Sequence, residues 1–116
     1  MNKFETFIFK NGKALDLYTV DGGKPKSSAD IFVNSKQARE IIGAEKRAYN
    51  KWLADNRTGN NLFPVQNRGK LTVNVINYFT FIKTCFNLYK GDGEAIAQEL
   101  TDALAVYMTD ANQEED

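Results

Sequence analysis

The chain has 116 residues, 42% hydrophobic and 26% charged, with 15 Lys/Arg balanced by 15 Asp/Glu, which is the composition of one small folded domain. It has no histidine and a single cysteine, Cys85. That excludes Ser-His and Cys-His catalysis, an internal disulfide, and the thiolate or imidazole sets that hold zinc, so no enzyme activity, metal or other cofactor is expected. No apolar run approaches the ~18 residues of a membrane helix, and Met1-Asn2-Lys3-Phe4-Glu5 does not open a secretory leader.

The zero net charge conceals a polarity along the chain. Residues 34–70 carry eight Lys/Arg against three acids, a net +5, whereas residues 71–116 carry two against eight, a net −6, and residues 1–33 come to +1. A polyanion responds to the local field of one face rather than to the sum.

In chain order, residues 4–20 predict a β-hairpin. With Asn11-Gly12 as a two-residue type I′ turn, Phe4, Ile8, Leu15 and Leu17 share one pleat face, while Glu5, Phe7, Phe9, Asp16 and Tyr18 share the other. Asp21-Gly22-Gly23-Lys24-Pro25-Lys26-Ser27-Ser28 reads as a loop and as a flexible joint between the hairpin and the rest. Ile31-Phe32-Val33 is a short buried strand or a hydrophobic lead-in, and Asn34 or Ser35 caps a helix to Ile42 whose inner stripe is Ala38, Ile41 and Ile42.

Gly43 ends that helix, and a second runs from about Glu45 to Asn56 with Ala48, Tyr49, Trp52 and Leu53 turned inward. Phe63-Pro64-Val65 and Leu71-Thr72-Val73 flank a tight turn at Asn67-Arg68-Gly69-Lys70. From Val73 to Tyr89 the periodicity favours a helix with two apolar stripes, one of Ile76, Phe79, Ile82 or Lys83, and Phe86, the other of Tyr78, Phe81, Cys85 and Leu88. A last helix over 93–108 shows Ile96, Leu100, Ala103, Leu104 and Tyr107 on one face, and Asn112 to Asp116 is expected to be disordered. This divides the chain into a hairpin and loop (1–28), a central domain (29–90), a C-terminal helix (91–111) and an acidic tail (112–116).

The second helix leaves Lys46, Arg47, Asn50 and Lys51 on one outer face. Lys and Arg neutralise phosphate or donate to guanine, and Asn pairs bidentately with adenine, so this face has the chemistry of a DNA contact. Lys36, Arg57, Gln66, Asn67, Arg68 and Lys70 extend the basic surface through the first helix, the following loop and the hairpin turn. Trp52 at its spacing is a packing residue rather than a stacking platform. Cys85 lies among apolar neighbours, and Glu94, Glu99, Asp102 and Asp110 form a solvated acidic helix face; neither assembles a catalytic site.

The run Ser-Lys-Gln-Ala-Arg-Glu-Ile-Ile-Gly (35–43), then Lys-Arg-Ala-Tyr-Asn-Lys-Trp-Leu (46–53), Phe63-Pro64 and Arg68-Gly69-Lys70, resembles the MerR-like winged helix-turn-helix. Within that group it is most similar to the small excisionase and AlpA-type regulators of phages and mobile elements, and to the DNA-binding part of some phage small terminase subunits. The resemblance covers about residues 31–84. It implies an α+β fold, a winged helix-turn-helix core with an N-terminal β-hairpin and a C-terminal two-helix extension. It also implies that the second helix enters the major groove while the hairpin at 65–71 contacts the adjacent backbone or minor groove. Two features depart from the pattern: the second helix starts Glu45-Lys46-Arg47 where relatives often have Ser or Thr, and the loop at 57–62 is longer.

The function expected is therefore double-stranded DNA binding, excisionase-like or in transcription regulation, in the cytoplasm of a bacterial host and associated with its nucleoid. A homodimer through residues 73–108 would raise the affinity of so small a module; no membrane or small-molecule partner is expected. The competing expectation is a phage-encoded inhibitor or assembly factor that engages a partner protein through the acidic C-terminal region.

Overall fold

A three-residue strand in the middle of the sheet joins the two halves of the chain. The computed structural model describes residues 2–56, 62–67, 71–88 and 93–114, with side chains described for all of these except 62–67, 71–73 and 109–114. The strands are β1 (Asn2–Ile8), β2 (Ala14–Thr19), β3 (Phe32–Asn34), β4 (Leu62–Asn67) and β5 (Leu71–Asn77); the helices are α1 (Ser35–Ile42), α2 (Lys46–Asp55), α3 (Tyr78–Leu88) and α4 (Gly93–Glu114). The fold is α+β, with one antiparallel sheet in the order β1-β2-β3-β5-β4. No helix among the described residues is long and apolar enough to cross a membrane.

The N-terminal hairpin forms, but one residue out of the expected register. Phe9 N–H donates to Lys13 O and Gly12 N–H to Phe9 O, both at 2.9 Å, so the loop is Lys10-Asn11-Gly12, with Gly12 at φ 87°. This three-residue connection pairs Ile8 with Ala14 and Phe7 with Leu15. Because side chains alternate, the slip exchanges the faces: Phe9 is buried at 2% exposure with Leu15 and Leu17, whereas Ile8, expected inside, is 57% exposed. A bulge between Lys3 and Glu5 shifts the register once more, and Phe4 reaches the core edge, where its ring meets Tyr107 edge-on.

The hairpin is not a separate unit on a joint. Leu17 pairs with Val33 and Tyr18 with Phe32, so β2 continues the sheet into β3, while the intervening loop turns back through Thr19 Oγ1 donating to Gly23 O and a 3-10 turn at Ser28–Asp30.

α1 begins and ends where its caps dictate. Asn34 Oδ1 accepts from Gln37 N–H, and Gly43 in the left-handed region (φ 74°) returns its N–H to Arg39 O and Glu40 O. Ala44 and Glu45 connect to α2.

The expected helix from Val73 is corrected: residues 71–77 are strand β5, and the helix starts at Tyr78. β5 pairs with β3 on one side and β4 on the other, and Val75 and Ile76, on opposite faces, are both fully buried. A central strand covered on both faces loses the polar alternation that would mark it in sequence. The tail assignment also changes, because α4 continues to Glu114 and so includes 112–114.

One cluster holds these elements together: Phe9, Leu15, Leu17, Val33 and Ile76 from the sheet, Ala38, Ile41 and Ile42 from α1, Tyr49 and Leu53 from α2, Tyr78, Phe81 and Cys85 from α3, and Ile96, Leu100 and Leu104 from α4. α4 lies against α3 and back along the hairpin, where Glu99 Oε2 accepts from Lys10 N–H at 2.7 Å. The register makes a direct prediction. Phe9→Ala should cost about 3–5 kcal/mol, the range for deleting a buried ring, while Ile8→Ala should stay within about 0.5 kcal/mol. Urea denaturation of the two variants checks it, and a larger loss for Ile8→Ala than for Phe9→Ala would mean that the two-residue turn is the true one.

Candidate nucleic-acid interface

α2 is amphipathic, and its two faces have different jobs. Tyr49 and Leu53 are buried and Trp52 half-buried, at i, i+4 and i+3, which leaves Lys46, Arg47, Asn50, Lys51 and Ala54 on the exposed side. Ala48, expected inside, is exposed; it lies at the margin of the inner stripe.

Two hydrogen-bonded links fix how α2 sits. The Tyr49 hydroxyl donates to Ser35 O at 3.0 Å and lies 2.9 Å from Ser35 Oγ, which ties α2 to the first residue of α1. Trp52 Nε1–H donates to Thr84 Oγ1 at 2.8 Å, and Thr84 donates in turn to Thr80 O at 2.6 Å, which ties α2 to α3. Each link satisfies a polar group that would otherwise be costly inside the molecule. Arg39 donates to Ala44 O at 3.3 Å and so braces the turn between α1 and α2 instead of serving the basic surface.

Lys46, Arg47 and Asn50, with Glu45, line one open depression at the start of α2. Lys51 is exposed on the next turn and Lys36 on α1. Among the described residues no carboxylate lies within ion-pair distance of Lys36, Lys46, Arg47 or Lys51, so these cations face water. Gln66 and Asn67 are the last residues of β4, paired with Thr72 and Leu71. Arg57, Arg68 and Lys70 lie outside the described residues.

Three residues that position this surface were not singled out as such in the sequence: Ser35, Tyr49 and Thr84. The signal for Thr84 was present, since a hydroxyl between Phe81, Cys85 and Leu88 on an apolar helix needs a partner. Among the described residues no three His, Cys, Asp or Glu side chains group as metal ligands. No family model, no curated protein and no solved structure matches this chain.

Burial also sets the alkaline limit of this arrangement. It pushes the Tyr49 hydroxyl up to about 12 from its ordinary 10, against the opposing Ser35 hydrogen bond, and pushes the Cys85 thiol up to about 12 from 9, which leaves that thiol inert. A folded-state value above the unfolded one means stability that is complete below the unfolded value and lost as pH rises through the folded one. The stability contributed by these two groups should therefore fall away between pH 9 and 12. Tyr49→Phe combined with Cys85→Ala should flatten that part of a stability-versus-pH curve. An alkaline limb as steep as in the unaltered protein would show that other groups drive it.

Proposed function

We propose that this chain is a small double-stranded DNA-binding protein that lays the outer face of α2 in the major groove and sets the β4–β5 hairpin against the neighbouring backbone. The observation that carries the reading is the pairing of an anchored inner face with a free outer one: Tyr49 and Trp52 hold α2 to α1 and α3, and Lys46, Arg47, Asn50 and Lys51 project from the other side without carboxylate partners among the described residues. A rigid helix presenting donors at fixed spacing is what base-edge readout requires.

The strand and helix order β3-α1-α2-β4-β5, with β3 paired to β5, is the arrangement that a winged helix-turn-helix uses, which supports that reading of residues 32–77. In that reading α1 is the first helix, the Gly43 turn separates it from α2, and the β4–β5 hairpin is the wing. With the resemblance in residues 35–70, this favours an excisionase-like or transcription-regulating role in a phage or mobile element, within the cytoplasm and nucleoid of the host.

Mobility shifts on random-sequence duplex across a salt series test the proposal. Log affinity should fall linearly with log salt, by about 0.9 per phosphate neutralised. Binding that is absent, with the acidic region instead capturing a basic protein, would favour the assembly-factor reading. Arg47→Ala and Lys51→Ala should each weaken binding by about 1–3 kcal/mol where they contact bases, or reduce the salt slope by about one where they contact phosphate. Both side chains are exposed, so circular dichroism should not change. Undiminished affinity in the double variant would remove α2 from the interface.

A further inference from the structure

Of the two apolar stripes expected on α3, the one that carries Phe79 and Phe86 faces outward. Phe79 is 49% and Phe86 60% exposed, two turns apart, with exposed Lys83 between them, while the other stripe, Tyr78, Phe81 and Cys85, fills the core. On α4, Leu100 and Leu104 are fully buried in their own chain, and Tyr107 packs on Phe4. Two half-exposed rings on one helix face mark an interaction surface.

The neighbouring charges select its occupant. α4 runs alongside α3, tied to it by the Tyr78 hydroxyl bonding Thr101 Oγ1, and its exposed residues beside that seam include Glu94, Gln98 and Asp102. These carboxylates would repel a polyanion from the two rings. Packing α3 directly on a second α3 would set Lys83 against its own copy, midway between the rings. A two-fold axis parallel to the helices avoids both problems, because it lays α3 of each copy on α4 of the other. At 1.5 Å per residue from the Tyr78–Thr101 level, Lys83 then lies opposite roughly residue 96 of the facing α4, about 3 Å along the axis from Glu94 and about 9 Å from Asp102. The contact is self-complementary, apolar with apolar and cation with carboxylate, twice over.

We infer that the α3–α4 face, through Phe79, Lys83 and Phe86 on one helix and Glu94 and Asp102 on the other, binds a second copy of this chain in a crossed four-helix dimer. Thr84, which receives Trp52, lies on the side of α3 away from Phe79 and Phe86 at helical spacing. The dimer therefore leaves the basic face of α2 free in both copies.

Sedimentation equilibrium of the full chain at tens of micromolar tests this without DNA. The unaltered protein should be dimeric, and Phe79→Ser with Phe86→Ser should be monomeric with unchanged circular dichroism. Lys83→Glu alone and Glu94→Lys/Asp102→Lys alone should each associate at least roughly tenfold more weakly, about one charge contact. An equimolar mixture of those two charge variants should dimerise again, since every crossed contact is then attractive. A monomeric unaltered protein overturns the inference, and so does a Glu94→Lys/Asp102→Lys variant that dimerises normally, because α4 would then be outside the interface. Failure of the mixture to associate overturns it as well. None of these results depends on whether α2 binds DNA, which the Arg47 and Lys51 variants decide.

Discussion

The fold depends on the pairing of β3. This strand has only three residues, yet Val33 pairs with Leu17 on one side and Ile76 on the other, so the N-terminal hairpin, the α1–α2 pair and the β4–β5 hairpin meet at one fully buried valine. Its brevity constrains the two helices after it. Asn34 is both the last residue of the strand and the cap of α1, so the chain leaves the sheet and enters the helix without slack. The direction of α1, and through the Ser35–Tyr49 contact that of α2, is thereby fixed by the sheet. Tyr78 N–H donating to Ile31 O at 3.0 Å repeats the device at the start of α3.

Local chemistry made α1, α2 and the existence of strands β1 to β4 readable. Asn34 and Gly43 are end signals with a mechanism, and the inner positions Ala38, Ile41 and Ile42 are buried as their spacing requires. The exposed face of α2 was legible for the same reason. The features that were not legible depend on contacts distant in sequence. A helix from Val73 is consistent with the local pattern, but pairing with β3 and β4 makes residues 71–77 a strand. Both apolar stripes of α3 are equally good candidates for the core until α4 takes its place, and α4 lies on the side of Tyr78 and Phe81. The hairpin register turned on one residue of loop length, with aromatic residues available on either face. The links from Tyr49 and Trp52 join side chains 14 and 32 residues apart, beyond any local pattern.

The two sheet edges show how open strands are kept from pairing with other chains. β1 carries the bulge at Phe4 and the charged residues Lys3 and Glu5. β4 carries Pro64, which has no N–H to offer. Both are recognised ways of making an edge a poor template. The exposed rings Phe79 and Phe86, by contrast, lie on a helix surface.

The distribution of charge also divides the molecule. The net +5 of residues 34–70 and the −6 of residues 71–116 belong to different elements, with α2 on one side of α3 and α4 on another. A polyanion approaching such a molecule is drawn to one pole and turned from the other, so orientation is selected before contact. Because a surface field is screened over about 10 Å at 0.1 M salt, the separation acts only if the basic face is held apart from the acidic helix. Tyr49 and Trp52 fix α2 against α1 and α3, and so fix where Lys46 and Arg47 stand. The polar links in the core thus serve the surface charge as well as the packing.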